Sequence, residues 1–313
     1  ARGGAGLVMT EATAVVPEGR ISPHDTGIWS DEQRNVWARI ASFVKSQGAV
    51  AGMQLAHAGR KGSTRRPWDP PPGSVPAAEG GWQTVAPSAI AYEGLETPSA
   101  LDADGIRAVI EGFRAGARRA MDAGFDLVEV HAAHGYLLHE FLSPLTNERA
   151  DEYGGSLENR ARLVLEIVRA VRAEVGDEVP VFVRFSGSDW ADGGWDIDEA
   201  VIVAGWAREA GADFFDLSGG GLVAHQRLEP GPGYQVKYAA SVHAAGLPTS
   251  TVGLITDAAH ANEIISSGQA TAVMMGREFL RDPHFPLRAA EQLGVELDYW
   301  PPQYLRAKGH YTR

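Results

Sequence analysis

The stretch MDAGFDLVEV, residues 121–130, joins the end of a helix to an apolar strand through Gly124. The same joint recurs in REAGADFFDLS (208–218) and ISSGQATAVMM (265–275), and the chain opens with a similar one, ARGGAGLVMTEA (1–12). Helices that alternate with buried strands in this way are typical of a parallel sheet covered by helices. The repeated joint therefore predicts an α/β protein built from βα units.

Seven apolar runs are strand candidates: GLVMTEA, VAGMQLAHAG, FDLVEVHAAHG, VFVRFSGSD, FFDLSGG, PTSTVG and TAVMMGR. The segments between them have helical apolar spacing, clearest in residues 30–48, 101–124, 156–176 and 196–211. Residues at the helix ends fit this reading, with N-caps predicted at Ser30, Ser156 and Thr256 and helix stops at Gly48, Gly124, Gly211 and Gly268. No GxGxxG follows any strand, so the pattern favours a closed (β/α)8 TIM barrel over an open doubly wound sheet.

A closed barrel of this type needs eight strands, and the sequence supplies seven. Because Ala1 lies within a helix-to-strand joint, we predict that the first strand and most of its helix precede residue 1. The alternative is that an unrelated segment fills the gap. We otherwise expect a single domain over residues 1–313, a long loop over residues 60–100 after the second visible strand, and a C-terminal tail over residues 299–313.

Composition excludes several classes of function. The net charge of −12 and the pI near 5.3 argue against nucleic-acid partners and anionic membrane surfaces. No apolar run is long enough to span a bilayer. The absence of cysteine removes disulfides, thiolate nucleophiles and iron–sulfur clusters from this chain. We therefore expect a soluble, cytoplasmic protein.

Polar residues gather where the strands end, which is where barrel enzymes place their chemistry. The densest group follows the strand FDLVEV and consists of His131, His134 and Tyr136. Two histidines three residues apart could bind a metal together with Glu129 or Glu140, could donate hydrogen bonds to a substrate oxygen, or could be structural. The residues alone leave these three readings open.

The loops after the last two strands contain Gly253 and the pair Gly276–Arg277. In barrels these two loops commonly bind a phosphate group through backbone N–H groups, and an arginine adds a charge-assisted contact. Turn glycines and a surface arginine are the alternative. The combination of both loops favours a phosphate site.

Several stretches resemble the Old Yellow Enzyme family, in particular its thermophilic-like subclass. They are TEATAVVPEGRISPHDTGIWSDEQ, QLAHAGRKG, VEVHAAHGYLLHEFLSPLTNERADEYGGSLENRARLVLEIV, VRFSGSDW and VGLITD with MMGREFLRDP. The resemblance implies an FMN-binding (β/α)8 barrel that uses NADPH or NADH to reduce activated C=C bonds of enones, enals and nitroalkenes. It also implies that no metal takes part.

The resemblance also implies roles for individual residues. His131 and His134 would donate hydrogen bonds to the substrate oxygen, and Tyr136 would give a proton to Cα. The implied FMN-binding residues are Ala12, Gln54, Arg184, Gly253, Gly276 and Arg277. Arg306 would enter the substrate pocket of a neighbouring subunit in a homodimer or homotetramer, whereas His57 and Arg60 would be structural.

Two other functions stay open at this point. The histidine pair could serve a metal-dependent barrel enzyme. The chain could also be a truncated, catalytically impaired flavoprotein-like scaffold, since the family's first strand carries further flavin contacts that this sequence does not contain.

Overall fold

The computed structural model describes residues 1–308, which form ten strands and nine α-helices. The strands are β1 (Leu7–Met9), β2 (Thr13–Ala14), β3 (Val50–Ala56), β4 (Val85–Ala86), β5 (Ser99–Ala100), β6 (Leu127–Ala132), β7 (Val181–Ser186), β8 (Phe214–Ser218), β9 (Thr249–Thr251) and β10 (Ala272–Val273). The helices are α1 (Asp31–Ser46), α2 (Ala103–Asp122), α3 (Leu137–Leu142), α4 (Leu157–Val175), α5 (Ile197–Glu209), α6 (Val236–Ala244), α7 (Ala258–Ser266), α8 (Arg277–Arg281) and α9 (Phe285–Gln292).

The main sheet is parallel and its strands follow chain order, β1-β3-β6-β7-β8-β9-β10, with β2 also paired to β3. All seven predicted strands lie on this path. An order without reversal is that of a barrel and not of a doubly wound sheet, which confirms the predicted fold class. Within residues 1–308 no pairing joins β10 to β1.

Capping residues and glycines define the ends of the helices. Ser30 and Ser156 accept hydrogen bonds from the N–H groups of Gln33 and Asn159, as predicted. The predicted cap at Thr256 is wrong, because the Asp257 side chain accepts from the N–H of His260 at 2.9 Å and α7 begins one residue later. The four predicted stop glycines all have positive φ, which glycine adopts without steric cost: Gly48, Gly124, Gly211 and Gly268.

The two faces of the central strands differ in chemistry. Side chains alternate along a strand, so Glu129 and His131 share one face of β6 while the intervening Val130 lies on the other. In β8, Asp216 and Ser218 likewise share one face. Val130 is fully buried, as are helix residues of the same core such as Phe113 of α2. The polar faces therefore line the inside of the curled sheet, and the apolar faces pack against helices.

Residues 60–100 contain a 3₁₀ turn at Ala77–Glu79 and the small parallel pair β4-β5. The tail includes a 3₁₀ helix, Pro302–Ala307, and the part of the predicted tail beyond residue 308 lies outside the described residues. No helix within residues 1–308 is long and apolar enough to cross a membrane.

Candidate active site

The loop after β6 holds the two histidines in a conformation that few sequences permit. His134 has a φ of 62°, and the next residue, Gly135, has a φ of 72°. A Cβ at Gly135 would lie 2.3 Å from the carbonyl oxygen of Gly221, so only glycine fits there. The close approach of these two loops fixes the position of His134, whose N–H also donates to Ser186 Oγ at 3.0 Å.

The histidines belong to one chain of hydrogen bonds. His131 Nδ1 accepts from the N–H of Ala133, which leaves the proton of a neutral ring on Nε2, 3.3 Å from His134 Nδ1. His134 Nε2 lies 2.9 Å from Ser218 Oγ, and this hydroxyl donates to Gln235 Oε1 at 3.2 Å. Because the hydroxyl proton is used by Gln235, Ser218 accepts from His134. Each ring thus has its N–H on Nε2.

Both rings are neutral at ordinary pH. Burial lowers the pKa of His131 and of His134 well below 6.5, and the nearby charge of Arg184 lowers both further. A neutral imidazole donates one hydrogen bond and accepts one. Each ring can therefore donate its Nε2–H to an oxygen on which negative charge develops.

Tyr136 lies next to His131, with ring centroids 5.2 Å apart and the planes at 83°. Its hydroxyl has no hydrogen-bond partner within residues 1–308. Burial raises the pKa of this phenol to about 12, and the carboxylate of Asp25 acts in the same direction. Tyr136 is thus a protonated and unengaged donor at the same strand end as the histidines.

A buried histidine–aspartate contact that was not predicted from the sequence supports this loop. His139 Nδ1 accepts from the N–H of Gly135 at 2.8 Å, and His139 Nε2 lies 2.8 Å from Asp189 Oδ1 with both side chains fully buried. Asp189 Oδ2 also accepts from Ser143 Oγ at 2.6 Å and from the N–H of Trp195 at 2.7 Å. An aspartate in the loop after a strand was the available signal for this contact.

Lys61 was also missed, although it lies in the quoted stretch QLAHAGRKG. Its Nζ donates to the carbonyl oxygens of His134 and Gly221, each at 2.8 Å, and lies 4.8 Å from the ring centroid of Tyr136. Burial lowers the pKa of this amine to about 8. Through these contacts Lys61 links the loop of His134 to the loop of Gly221 and lies against the ring of Tyr136. Arg60 beside it donates to backbone carbonyls, including that of Leu222 at 2.6 Å, in keeping with the structural role expected for it.

The interior of the sheet below the histidines is polar. In the strand register, His131 of β6 pairs with Arg184 of β7, and Gln54 of β3 pairs with Glu129. Gln54 Nε2 donates to Glu129 Oε1 at 2.6 Å, so its Oε1 remains as an acceptor. Arg184 Nε is buried and has no hydrogen-bond partner within residues 1–308. A buried guanidinium N–H without an acceptor suits a hydrogen-bond acceptor bound beside it.

The glycines predicted to bind phosphate lie after neighbouring strands. Gly253 follows β9 with a φ of 134°, and a Cβ there would lie 3.0 Å from the ring of Tyr234. Gly276 follows β10, and a Cβ there would meet nothing within 4 Å. Arg277 is exposed and makes no ion pair within residues 1–308. These residues leave backbone and charge open to a ligand, on the edge of the sheet that includes Arg184.

The two remaining candidates lie in different places. Ala12 lines a narrow pocket together with Tyr136 and Asp25, so the sheet brings it to the site. Arg306 is exposed in the tail. Tyr299 Oη lies 3.3 Å from the carbonyl oxygen of Arg2, a residue that precedes β1. The tail therefore starts at the amino end of the sheet, away from the strand ends that carry the histidines.

The residues between 1 and 308 include no group of three or more His, Asp or Glu side chains placed to hold a metal ion. Glu129 faces Gln54, and Glu140 Oε1 accepts from the N–H of Arg60 at 2.9 Å. Neither carboxylate joins the histidines, so the geometry gives the metal reading no support.

Residues 1–296 match the protein family described as NADH:flavin oxidoreductase / NADH oxidase. An NADPH dehydrogenase of Bacillus subtilis is 46% identical over 306 residues, which cover 97% of this chain and 85% of that protein. An NADPH dehydrogenase of Geobacillus thermodenitrificans is 45% identical over 306 residues, with coverages of 97% and 84%.

Solved structures are similar as well. Morphinone reductase superposes with a TM-score of 0.77 at 32% identity, covering 96% of this chain and 81% of that one. An Old Yellow Enzyme homologue from Zymomonas mobilis gives 0.76 at 30% identity, with coverages of 96% and 85%. The resemblance to Old Yellow Enzyme is thus confirmed. The chain belongs to the NADH:flavin oxidoreductase / NADH oxidase family and is an FMN-dependent oxidoreductase of the Old Yellow Enzyme type.

Proposed function

We propose that the protein is an ene-reductase, which reduces the C=C bond of enones, enals and nitroalkenes with electrons from NADPH or NADH. The observation that carries the proposal is the grouping of His131, His134 and Tyr136 at one strand end. Two neutral ring donors lie beside a protonated phenol that has no other partner. The two histidines can donate hydrogen bonds to a carbonyl or nitro oxygen. The phenol can give a proton to a carbon of the same substrate.

The residues present fit FMN. Arg184 has a buried nitrogen without a partner, and a cation suits the pyrimidine edge of a flavin, which becomes negative on reduction. Gln54 Oε1 and the backbone near Ala12 would contact the same edge. Gly253, Gly276 and Arg277 would hold the phosphate. When bound, FMN supplies hydride transfer between the nicotinamide and the alkene.

The histidines would bind and polarise the substrate. A conjugated C=C accepts hydride at Cβ only as negative charge develops on the conjugated oxygen. The proton on His131 Nε2 now lies on a long 3.3 Å contact to His134, so a substrate oxygen can replace this acceptor at small cost. The bond between His134 and Ser218, at 2.9 Å, keeps the second ring in place and is open to the same exchange.

Tyr136 would complete the addition by giving its proton to Cα. A general acid must keep its proton until the carbanion-like centre forms. The pKa of about 12 meets this requirement, and the absence of a hydrogen-bond partner leaves the proton free to move to substrate.

The test is anaerobic. We expect the purified protein to be yellow with one FMN per chain, to bleach on addition of NADPH, and to recover its colour on addition of cyclohexenone with formation of cyclohexanone. Bleaching without reoxidation by any enone, enal or nitroalkene would refute the ene-reductase proposal. A colourless protein whose activity a chelator removes would favour the metal reading, and a protein that binds flavin without bleaching would favour the scaffold.

We further propose that Arg306 enters the pocket of a neighbouring subunit in a homodimer or homotetramer. Its support is the start of the tail at the amino end of the sheet, far from the histidines of its own chain. The variants His131→Ala and Arg306→Ala, co-expressed, should form mixed oligomers that contain one complete site. Activity well above the sum of the two variants is expected. No recovery in demonstrated mixed oligomers would contradict the exchange.

A further inference from the structure

Two carboxyl groups meet inside the sheet, where the flavin-related chemistry above makes no use of them. Glu129 of β6 is 0% exposed and Asp216 of β8 is 2% exposed. Their side chains face each other within hydrogen-bonding reach. Glu129 Oε1 accepts from Gln54, and Asp216 Oδ1 accepts from Ser250 Oγ. The other two oxygens, Glu129 Oε2 and Asp216 Oδ2, are buried and have no further partner within residues 1–308.

Two ionised carboxylates in contact at such a depth would each lack a donor and would repel each other. A single proton between Oε2 and Oδ2 satisfies both oxygens at once. Burial raises the pKa of Glu129 well above its usual range, the charge of Asp216 raises it further, and Arg184 opposes the rise. The carboxyl pair, meaning Glu129 and Asp216 together, then has one negative charge.

Arg184, which we proposed above as a flavin contact, lies next to this pair. Its strand, β7, lies between β6 and β8, and Arg184 is the register partner of both His131 and Asp216. On the neighbouring strands, the groups beside Arg184 are the carboxyl pair from β6 and β8 and the neutral His131. Gln54 on β3 and Ser250 on β9, which bind the two carboxyl groups, are uncharged. One negative charge offsets the guanidinium, whereas two would reverse the sign of the site.

We infer that Glu129 and Asp216 hold one proton between them and act as a positioning pair, which presents a single negative charge to Arg184 and so sets how easily a bound flavin is reduced. The inference rests on the flavin placement proposed above. A second negative charge would disfavour an anionic reduced flavin beside Arg184, and a site without negative charge would favour it.

Near-isosteric variants separate one charge from two. In Glu129→Gln the new amide donates to Asp216, which keeps the single charge. In Asp216→Asn the new amide donates to Glu129, which then has that charge. The double variant has none. We expect each single variant to change the flavin reduction equilibrium by less than about threefold. We expect the double variant to favour the reduced flavin at least tenfold, about 30 mV for a two-electron couple.

This non-additive pattern distinguishes a shared proton from two independent charges. Single variants that each shift the potential as much as the double variant, or shifts that add, would overturn the inference. A double variant with the wild-type potential would overturn the coupling to flavin.

Glu140→Gln is the matched control, because this buried carboxyl has a pKa raised to about 8 by burial but lies against Arg60. Its substitution should leave the potential unchanged.

A second measurement needs no flavin. The infrared spectrum of the apoprotein should contain the band of a protonated carboxylic acid that disappears in both single variants, separately from the band that Glu140→Gln removes. If Glu129→Gln and Asp216→Asn leave the acid bands unchanged, no proton is shared, whatever the potential shows. If the wild-type protein binds no flavin, the proposed function fails, and the infrared comparison still decides whether the proton is shared.

Discussion

Replacement of Tyr136 by phenylalanine should separate catalysis from stability. The variant keeps the ring, which contacts His131 edge-on at 5.2 Å and lies beneath Lys61 Nζ at 4.8 Å. It removes only the hydroxyl, which has no hydrogen-bond partner within residues 1–308. Loss of an unpaired hydroxyl should change the free energy of unfolding by less than about 0.5 kcal/mol.

The effect on turnover should be large. A positioned general acid contributes roughly 10²–10⁴-fold to the rate of proton transfer, so reoxidation of the reduced protein by cyclohexenone should slow by about that factor. Reduction by NADPH involves no proton from Tyr136 and should change little. Since burial raises the pKa of the phenol to about 12, wild-type reoxidation should not fall on its account between neutral pH and about pH 10.

Tyr153→Phe is the matched control. Its phenol also has a pKa raised to about 12, but it donates to Glu166 Oε2 at 3.0 Å, away from the histidines. This variant should lose about 1 kcal/mol of stability and keep its turnover. Anaerobic stopped-flow measurements and urea unfolding test both variants. Reoxidation of Tyr136→Phe within about twofold of wild type would refute the assignment, and equal loss of turnover in both variants would trace the effect to general destabilisation.

Three further outcomes are expected. His131→Ala and His134→Ala should each slow reoxidation by enones by about 10²–10³-fold, as for loss of one oxyanion donor, with a smaller effect on flavin reduction measured by stopped flow. Arg277→Ala should weaken FMN binding by roughly 10-fold or more in a fluorescence titration, whereas Arg281→Ala, whose side chain pairs with Glu278 at 2.9 Å, should not. Burial lowers the pKa of His57 to about 4, so the neutral ring stabilises the fold above pH 6.5 and this contribution is lost as the pH falls towards 4. Between pH 6.5 and 4 the wild-type protein should therefore lose about 3 kcal/mol more stability in urea unfolding than His57→Gln, and equal acid sensitivity of the two proteins would contradict this.

Helices and strands with strong local sequence signals could be predicted, whereas those without such signals could not. The seven strands and the longest helices, α1, α2, α4 and α5, were identified because apolar periodicity and capping residues act over a few neighbouring positions. The short helices α3 and α9 were not singled out, since six or eight residues give too little periodicity to recognise. The cap at Asp257 in place of Thr256 shows that adjacent capping residues compete, and only the backbone geometry selects one.

In the candidate site, residue identities could be predicted from the sequence, whereas contacts between residues could not. The order of residue types along the chain determined the barrel class, the family and the residues at the strand ends, because a family motif such as HAAHGYL and the position after a strand are properties of the sequence itself. The partnerships among these residues depend on strand register and loop contact. Gln54 with Glu129, His131 with Arg184 and His139 with Asp189 lie 75, 53 and 50 positions apart.

Only the tertiary structure decided which polar groups share a proton, a charge or a hydrogen bond. A glutamate in LVEVHA and an aspartate in FFDLS each stand out in an apolar strand, but the sequence does not indicate that the two face each other beside Arg184. Neither does it show that Gln235 determines which nitrogen of His134 holds the proton. Local propensities act between neighbours in the chain, whereas pKa values and tautomers depend on burial and on distances between groups that folding brings together.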